Sequence, residues 1–344
     1  MNGTTREFVS VDEARPPLFV GVDLGGTNVK VGVVDDLGRP LSWLKIPTES
    51  DRGPEDTTRR MGEAVGEAIR RAGLTREAIA RVGLGSPGTM DIPAGKLVNP
   101  TNLKGWDQFP IRDRLAAHCG LPVSFANDAG AAAYGEFWVG SGREFHSMVL
   151  LTLGTGIGCG IIIGDLSIDG ENSHGAECGH IIIDCHDDAR MCECGQRGHL
   201  EAYASATAVI KRAQEALRAN RISSLSQRMS EGREITPKLI AEEAAEGDEL
   251  SLELIMDTAR FLGIGIVSLM HTIDPSGVLL GGAMTFGGQG TPLGEKFLNR
   301  IREEVSERAF AVLAERTKID FASLGGDAGF IGAAGIAHVE HRKA

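Results

Sequence analysis

The sequence predicts an α/β protein of two related domains, and three observations predict it. Strand-like runs alternate with glycine turns and amphipathic helices along the chain. Two stretches, FVGVDLGGTNVKVGVVDDLGRPL and MVLLTLGTGIGCGIIIGDLSIDG, share one pattern of strand, glycine turn, strand, turn, which reads as an internal duplication. The length, 344 residues, is enough for two hydrophobic cores. The expected division is a polar tail at 1–17, a smaller α/β domain at 18–128 plus 327–344, and a larger one at 129–326. The larger domain holds a Cys/His-rich loop at 174–201.

Order should begin near Leu18. Val20 and Val22, then Val29, Val31 and Val33, alternate as half-buried strand residues do. Between them lies Asp23-Leu24-Gly25-Gly26-Thr27-Asn28. Its glycines allow a nest of backbone N–H groups that suits phosphate oxygens, although glycine turns are also common in plain hairpins. Asp23 stands where it could hold a metal ion, directly or through water. Pro54 to Ala72 reads as an amphipathic helix with Met61, Val65, Ala68 and Ile69 on one face. Ile79 to Leu84 is a strand, running into Gly85-Ser86-Pro87-Gly88. Asn99 and Asn102 follow, with side chains that both donate and accept, as sugar hydroxyls require; a capping or turn segment would use the same residues.

A helix at Ile111–His118 and a strand at Pro122–Phe125 lead to Ala126-Asn127-Asp128, where the next helix begins. A carboxylate at such a junction either caps the helix or points out of it as a general base. The second copy of the hairpin then places Gly154-Thr155-Gly156 where the first has its glycines. Two such turns facing across a cleft could grip one polyphosphate. Helices are expected at Ala202–Ala219, Pro237–Glu246 and Leu250–Thr272. The strand Gly277–Leu280 leads to a third glycine turn at Gly281-Gly282. A helix at Phe297–Glu315 should bury Ile301, Val305, Ala309 and Val312. After a strand at Ile319–Leu324, Gly325 to Gly329 starts a last helix that returns to the first domain.

The loop from His174 to Glu201, HGAECGHIIIDCHDDARMCECGQRGHLE, carries the most chemistry per residue. Cys192 and Cys194 offer two sulfurs, and His180 and His199 two imidazoles, a set that fits a closed tetrahedral zinc site. The spacing is not that of a zinc finger, and Cys185 and His186 are rival ligands. The alternative is a solvent-facing loop that happens to carry thiols. Glu177 and Glu201 flank the candidate ligands. A metal there would be structural, stiffening a loop whose carboxylates, with the second ring nitrogen of His180, face a polar substrate.

Composition bounds the partners. Hydrophobic content is 42% and charged content 24%, ordinary for a soluble globular protein. A formal net charge of −12 argues against a nucleic-acid-binding surface. The N-terminus lacks a basic-then-apolar signal pattern, and the most apolar run, Phe261 to Ile273, is too short to span a bilayer, so no membrane association is expected. Six scattered cysteines without an export signal suggest reduced thiols in the cytoplasm.

The Asp23–Thr27 turn, Asn102-Leu-Lys-Gly-Trp106, Asn127-Asp128, Leu153-Gly-Thr-Gly156, His174-Gly-Ala-Glu-Cys-Gly-His180 and Cys192-Glu-Cys-Gly-Gln-Arg-Gly-His-Leu-Glu201 resemble, in kind and in order, the motifs of the ROK family (repressors, open reading frames and sugar kinases). The similarity runs across nearly the whole chain from Leu18 and points, within the family, to bacterial glucokinases. It implies two ribonuclease-H-like, actin-like domains with a cleft between them. It also implies ATP-dependent phosphorylation of glucose at its 6-hydroxyl, with Asp128 accepting the hydroxyl proton. Asn102, Asn127, Glu177, His180 and Glu201 would bind the other hydroxyls. Gly25, Gly26 and Thr27, with Gly154, Thr155 and Gly156, would cradle phosphates, and Gly281 and Gly282 would lie near the adenosine. Magnesium would bridge the β- and γ-phosphates near Asp23. Structural zinc would sit on His180, Cys192, Cys194 and His199, where His199 replaces the family's usual third cysteine. A homodimer or higher homo-oligomer is implied too. The same scaffold serves kinases of fructose, mannose, allose or N-acetylmannosamine, and these stay as alternatives. A sugar-responsive repressor is disfavoured, because only about seventeen residues precede the first strand, too few for a helix-turn-helix module.

Overall fold

The computed structural model describes residues 7–100, 103 and 105–343. In chain order the elements are β1 (Leu18–Leu24), β2 (Asn28–Val34), β3 (Pro40–Pro47), α1 (Pro54–Arg71), β4 (Ile79–Ser86), β5 (Met90–Asp91), β6 (Lys96–Leu97), α2 (Ile111–Cys119), β7 (Val123–Asn127) and α3 (Asp128–Trp138). Next come β8 (Ser147–Leu153), β9 (Ile157–Ile163), β10 (Leu166–Ser167), α4 (Glu201–Ala204), α5 (Ala206–Arg218), α6 (Ser224–Ser230), α7 (Pro237–Ala245) and α8 (Glu249–Ile273). The last are β11 (Gly277–Gly282), α9 (Pro292–Arg308), α10 (Ala311–Arg316), β12 (Lys318–Phe321) and α11 (Ala328–Lys343).

The suspected duplication is visible as topology. One sheet runs β3-β2-β1-β4-β7 and the other β10-β9-β8-β11-β12, so each places its strands in the order third, second, first, fourth, fifth. In the first sheet β1, β2 and β3 form an antiparallel meander, and β4 and β7 run parallel to β1. In the second, β11 runs parallel to both β8 and β12. The chain forms two compact units: residues 1–144, 160–176 and 323–344 in the first, and 145–159 and 177–322 in the second. The first unit therefore includes α3, whereas the sequence reading draws its line at Asp128.

β1 is not the half-buried strand its valines suggest. Both faces are covered. Leu18, Val20, Val22 and Leu24 join the α1-side core, and Phe19 packs with Phe330, Ile331 and Ala334 of α11 on the other. The glycines explain how α11 comes so close. A Cβ at Gly21 would fall on the carbonyl of Phe330, one at Gly83 on that of Ala333, and one at Gly332 on that of Ala131 in α3. α11 is thus sandwiched between the sheet and α3, and its small apolar residues show no single buried stripe, as befits a helix covered on several sides. α1, by contrast, is amphipathic as expected, with Met61, Val65, Ala68 and Ile69 buried and Pro54 at its first position.

Two expected helices are broken. The 202–219 segment splits at Ser205, whose hydroxyl accepts from Ala208 N–H and caps α5 afresh. The expected 297–315 helix starts earlier, at Pro292 behind the cap Thr291, and ends at Arg308. Extended Ala309 and Phe310 separate it from α10, so Val312 does not continue the Ile301–Val305 stripe and is half exposed. Among the described residues no helix is long and apolar enough to cross a membrane.

Candidate active site

Within the first unit, the residues singled out from sequence lie at the carboxyl ends of neighbouring parallel strands, where open α/β sheets bind ligands. Asp23 pairs in register with Gly85 across β1 and β4, and Ser86 with Asn127 across β4 and β7. Asn127 is extended (φ −65°, ψ 146°), and its Oδ1 accepts from the N–H groups of Ala129 at 2.9 Å and Gly130 at 3.2 Å. Asn127 is therefore the cap of α3. Asp128 occupies the first helical position, its Oδ1 accepting from its neighbour Ala129 N–H at 2.8 Å. At this junction the asparagine is the cap, and the half-buried aspartate beside it accepts from the same Ala129 N–H.

The β1–β2 turn is held from behind. Gly25 N–H donates to Asn28 O at 3.0 Å, Thr48 Oγ1 donates to Gly25 O at 2.6 Å, and Thr48 N–H donates to Thr27 O at 2.9 Å. Gly26 faces open space. Asp23 is not a lone carboxylate. Lys30, its cross-strand partner, places Nζ 3.2 Å from Asp23 Oδ2 and donates to Gly326 O at 2.7 Å. Gly329 in the first turn of α11 lies against the same carboxylate, where a Cβ would collide with it. Lys30 escaped the sequence reading because it looks like any outward residue of an alternating strand; the hairpin register that pairs it with Asp23 is the signal that could have found it. Asn102 lies outside the described residues.

In the second unit, the Gly154-Thr155-Gly156 turn joins β8 to β9. Gly154 N–H donates to Gly156 O at 3.0 Å, and α5 is tied to the turn by Ala206 N–H to Gly154 O and Thr207 Oγ1 to Thr155 O, both at 2.9 Å. Gly281 and Gly282 pair with Thr152 and Leu153, so the two glycine segments are adjacent strand ends. Gly282 has φ +90°, and a Cβ there would strike the Leu153 backbone. Just beyond it a cavity of about 610 Å³ is lined by Ala283, Met284, Phe286, Lys238 and Lys296 among others.

The Cys/His loop comes together as a donor cluster. The ligand atoms of His180, Cys192, Cys194 and His199 all lie within 4.8 Å of one another. His180 Nδ1 is 3.3 Å from His199 Nδ1, Cys192 Sγ is 3.8 Å from His180 Nδ1, and Cys194 Sγ is 3.2 Å from His199 Nδ1. Atoms bound to one tetrahedral zinc at the usual bond lengths stand about 3.3–3.8 Å apart; these three separations are close to that spacing, and two sulfurs with two imidazoles are a donor set that suits the ion. Cys185 and His186 are exposed and outside the cluster. A tight turn from Cys192 to Gly195 (φ +87°) and short bridges Ile182–His199 and Met191–Arg197 hold the cluster. Burial pushes the Cys192 thiol up to about 11, with Cys194 and Glu201 adding to it. Burial, then nearby His180, lower His199, which favours the neutral imidazole that binds metals.

Both histidines turn Nδ1 to the cluster. His180 Nε2 consequently points elsewhere, 4.0 Å from Glu177 Oε2. Glu201 bridges two features: Oε2 accepts from Ile157 N–H at 2.7 Å at the start of β9, and Oε1 lies 3.7 Å from Cys192 Sγ. A Cβ on Gly156 would collide with this carboxylate, so the glycine turn and the donor cluster are packed onto one side chain. A second cavity of about 380 Å³ is lined by Thr155, Cys192, Glu201, Thr207 and Lys211 among others.

Comparison with known proteins agrees in extent with this arrangement. The chain is 31% identical over 314 residues to a glucokinase of Halalkalibacterium halodurans, covering 91% of this chain and 93% of that one. Its fold matches a ROK hexokinase from Thermus thermophilus with a TM-score of 0.80 at 31% identity, covering 95% and 100% of the two chains. It also matches a ROK family glucokinase from Streptomyces griseus, solved with glucose and AMPPNP, with a TM-score of 0.73 at 32% identity and the same coverage. The pattern of the ROK family spans residues 19–340, and with two α/β domains of the actin-like kind the chain belongs to that family.

Proposed function

We propose that the protein is an ATP-dependent glucokinase, transferring the γ-phosphoryl group of ATP to the 6-hydroxyl of glucose. The observation that carries this reading is the Asn127–Asp128 junction. Asn127 caps the helix through the N–H groups of Ala129 and Gly130, and Asp128 stands beside it at the first position of α3, just past the carboxyl end of β7. Similarity over nine tenths of the chain to a protein named glucokinase, and to one solved with glucose and an ATP analogue, supports glucose and ATP as the substrates.

In this reading Asp128 accepts the proton of the 6-hydroxyl as that oxygen attacks the γ-phosphorus. Phosphoryl transfer demands alignment and charge neutralisation more than covalent help, so one positioned base and two phosphate-binding turns are an adequate set. Gly25, Gly26 and Thr27, and Gly154, Thr155 and Gly156, offer backbone N–H groups to phosphate oxygens. Gly281, Gly282 and the adjoining apolar cavity suit an adenosine. Asn102, Asn127, Glu177, His180 Nε2 and Glu201 hydrogen-bond the remaining hydroxyls, and a site built for hydroxyls strongly rejects an analogue lacking one. Magnesium, when bound, would neutralise phosphate charge, and Asp23, already paired with Lys30, is the carboxylate that would hold it, directly or through water. Zinc, if held by His180, Cys192, Cys194 and His199, would supply rigidity, and the chain's own residues carry every chemical step.

A coupled assay across glucose, mannose, fructose, allose and N-acetylmannosamine tests the assignment. Glucose is expected to give the highest kcat/KM. Strong turnover of another sugar beside negligible turnover of glucose would replace glucokinase with that kinase.

A further inference from the structure

Glu136, near the carboxyl end of α3, is a carboxylate with no solvent exposure. Its Oε2 accepts from Ser141 N–H at 3.0 Å and Ser141 Oγ at 3.1 Å, and from Ser323 N–H and Ser323 Oγ, both at 3.1 Å. Its Oε1 accepts from Leu324 N–H at 2.6 Å. No Lys, Arg or His forms a salt bridge with it among the described residues. A buried carboxylate held by neutral donors is costly unless nearly every lone pair is used, and here two segments are gathered to do so. Ser141 lies shortly before the chain first leaves the first unit after Glu144, and Ser323 is where it returns for the last time. One side chain thus ties the first departure to the last re-entry.

The segment just past the re-entry leads back to the site. From Leu324 the chain makes a single 3-10 turn, Gly325–Asp327, and enters α11. Within that turn Gly326 O holds Lys30 Nζ, which in turn pairs with Asp23 at the end of β1. A continuous set of contacts therefore runs from Glu136 through Leu324 and Gly326 to Lys30 and Asp23, beside the Gly25–Thr27 turn. We propose that Glu136 is a positioning residue for the phosphate side of the reaction: it fixes the 323–327 segment, and so the Lys30–Asp23 pair that faces the nucleotide. The proposal rests on the kinase reading above.

The test compares wild type, Glu136→Gln, the milder Ser323→Ala, Lys30→Met and the double variant Glu136→Gln with Lys30→Met. MgATP is titrated into each without sugar, and KM for ATP and for the sugar is measured separately. Glu136→Gln should weaken MgATP binding roughly tenfold, the size typical of a substitution acting through intervening contacts. Ser323→Ala should weaken it less, both should leave the sugar KM unchanged, and the double variant should be no worse than Lys30→Met alone. A lowered melting temperature with unchanged MgATP affinity would mean that Glu136 only stabilises the fold, and additive effects in the double variant would break the link to Lys30. If Glu136→Gln does not fold, Ser323→Ala decides alone, and unchanged MgATP affinity there overturns the proposal. A wild-type protein that phosphorylates no sugar would refute the kinase reading, while the MgATP titration would still judge Glu136.

Discussion

Asn127 and Asp128 are neighbours with the same kind of side-chain oxygen, yet the backbone gives them different work. Asn127 is still extended, so its Oδ1 can reach the free N–H groups of Ala129 and Gly130. Asp128 already has helical geometry. From sequence, a carboxylate at a strand-to-helix junction was readable as important, but which of the two neighbours caps the helix was not, because a one-residue shift of the helix start moves the cap from one to the other. The geometry makes Asp128→Asn a clean probe: the substitution keeps the shape and leaves the cap intact. It should lower kcat by about 100- to 10,000-fold, the usual worth of a positioned base, while glucose affinity by calorimetry and melting temperature stay close to wild type. A variant with near-full turnover would remove Asp128 from the base role. Lys30 marks the opposite limit, a residue with no local signature whose place is given only by cross-strand pairing.

At the scale of elements, the Cys/His loop has little regular structure, and its order comes from a Cys192–Gly195 turn, two isolated bridges and the donor cluster itself. The gathering of His180, Cys192, Cys194 and His199 was legible because two thiols and two imidazoles at close spacing read as one donor set. The exclusion of Cys185 and His186 was not, since that depends on which way the chain turns after Ile181. Helix breaks were equally hidden: Ser205 and Ala309 sit inside periodic patterns, and only the capping hydrogen bonds and the extended backbone around Phe310 interrupt them. The loop yields a prediction of its own. Without metal the buried Cys192, at about 11, is a neutral thiol at pH 7, and the four donors lose what draws them together. Cys192→Ser or prolonged chelation should therefore lower zinc content by elemental analysis and weaken glucose binding together, because Glu201 and His180 are built into the same cluster. Zinc loss with undiminished glucose affinity would separate the metal from the sugar.

For the whole molecule, the duplicated hairpin foretold the repeated sheet order, since a strand–turn–strand opening repeated in sequence is repeated in topology. The extent of the first compact unit was harder to read. α3 follows the candidate base and precedes the second hairpin, so sequence alone could assign it to either part; its partner is α11, near the far end of the chain, and no local pattern announces that pairing. The glycines do so once the structure is known. Gly21, Gly83 and Gly332 each occupy a point where helix and strand or helix and helix backbones meet. Gly83→Ala would put a methyl group on the Ala333 carbonyl and force α11 away from a core that includes Phe19, Phe330 and Ile331. Overpacking of this kind costs about 1–3 kcal/mol, so the apparent melting temperature should fall by several degrees. Gly26→Ala, where nothing lies within 4 Å, should leave it almost unchanged and affect only nucleotide binding. Calorimetry on the two variants side by side checks this, and equal melting temperatures would show that α11 is not seated on the sheet as closely as its glycines require.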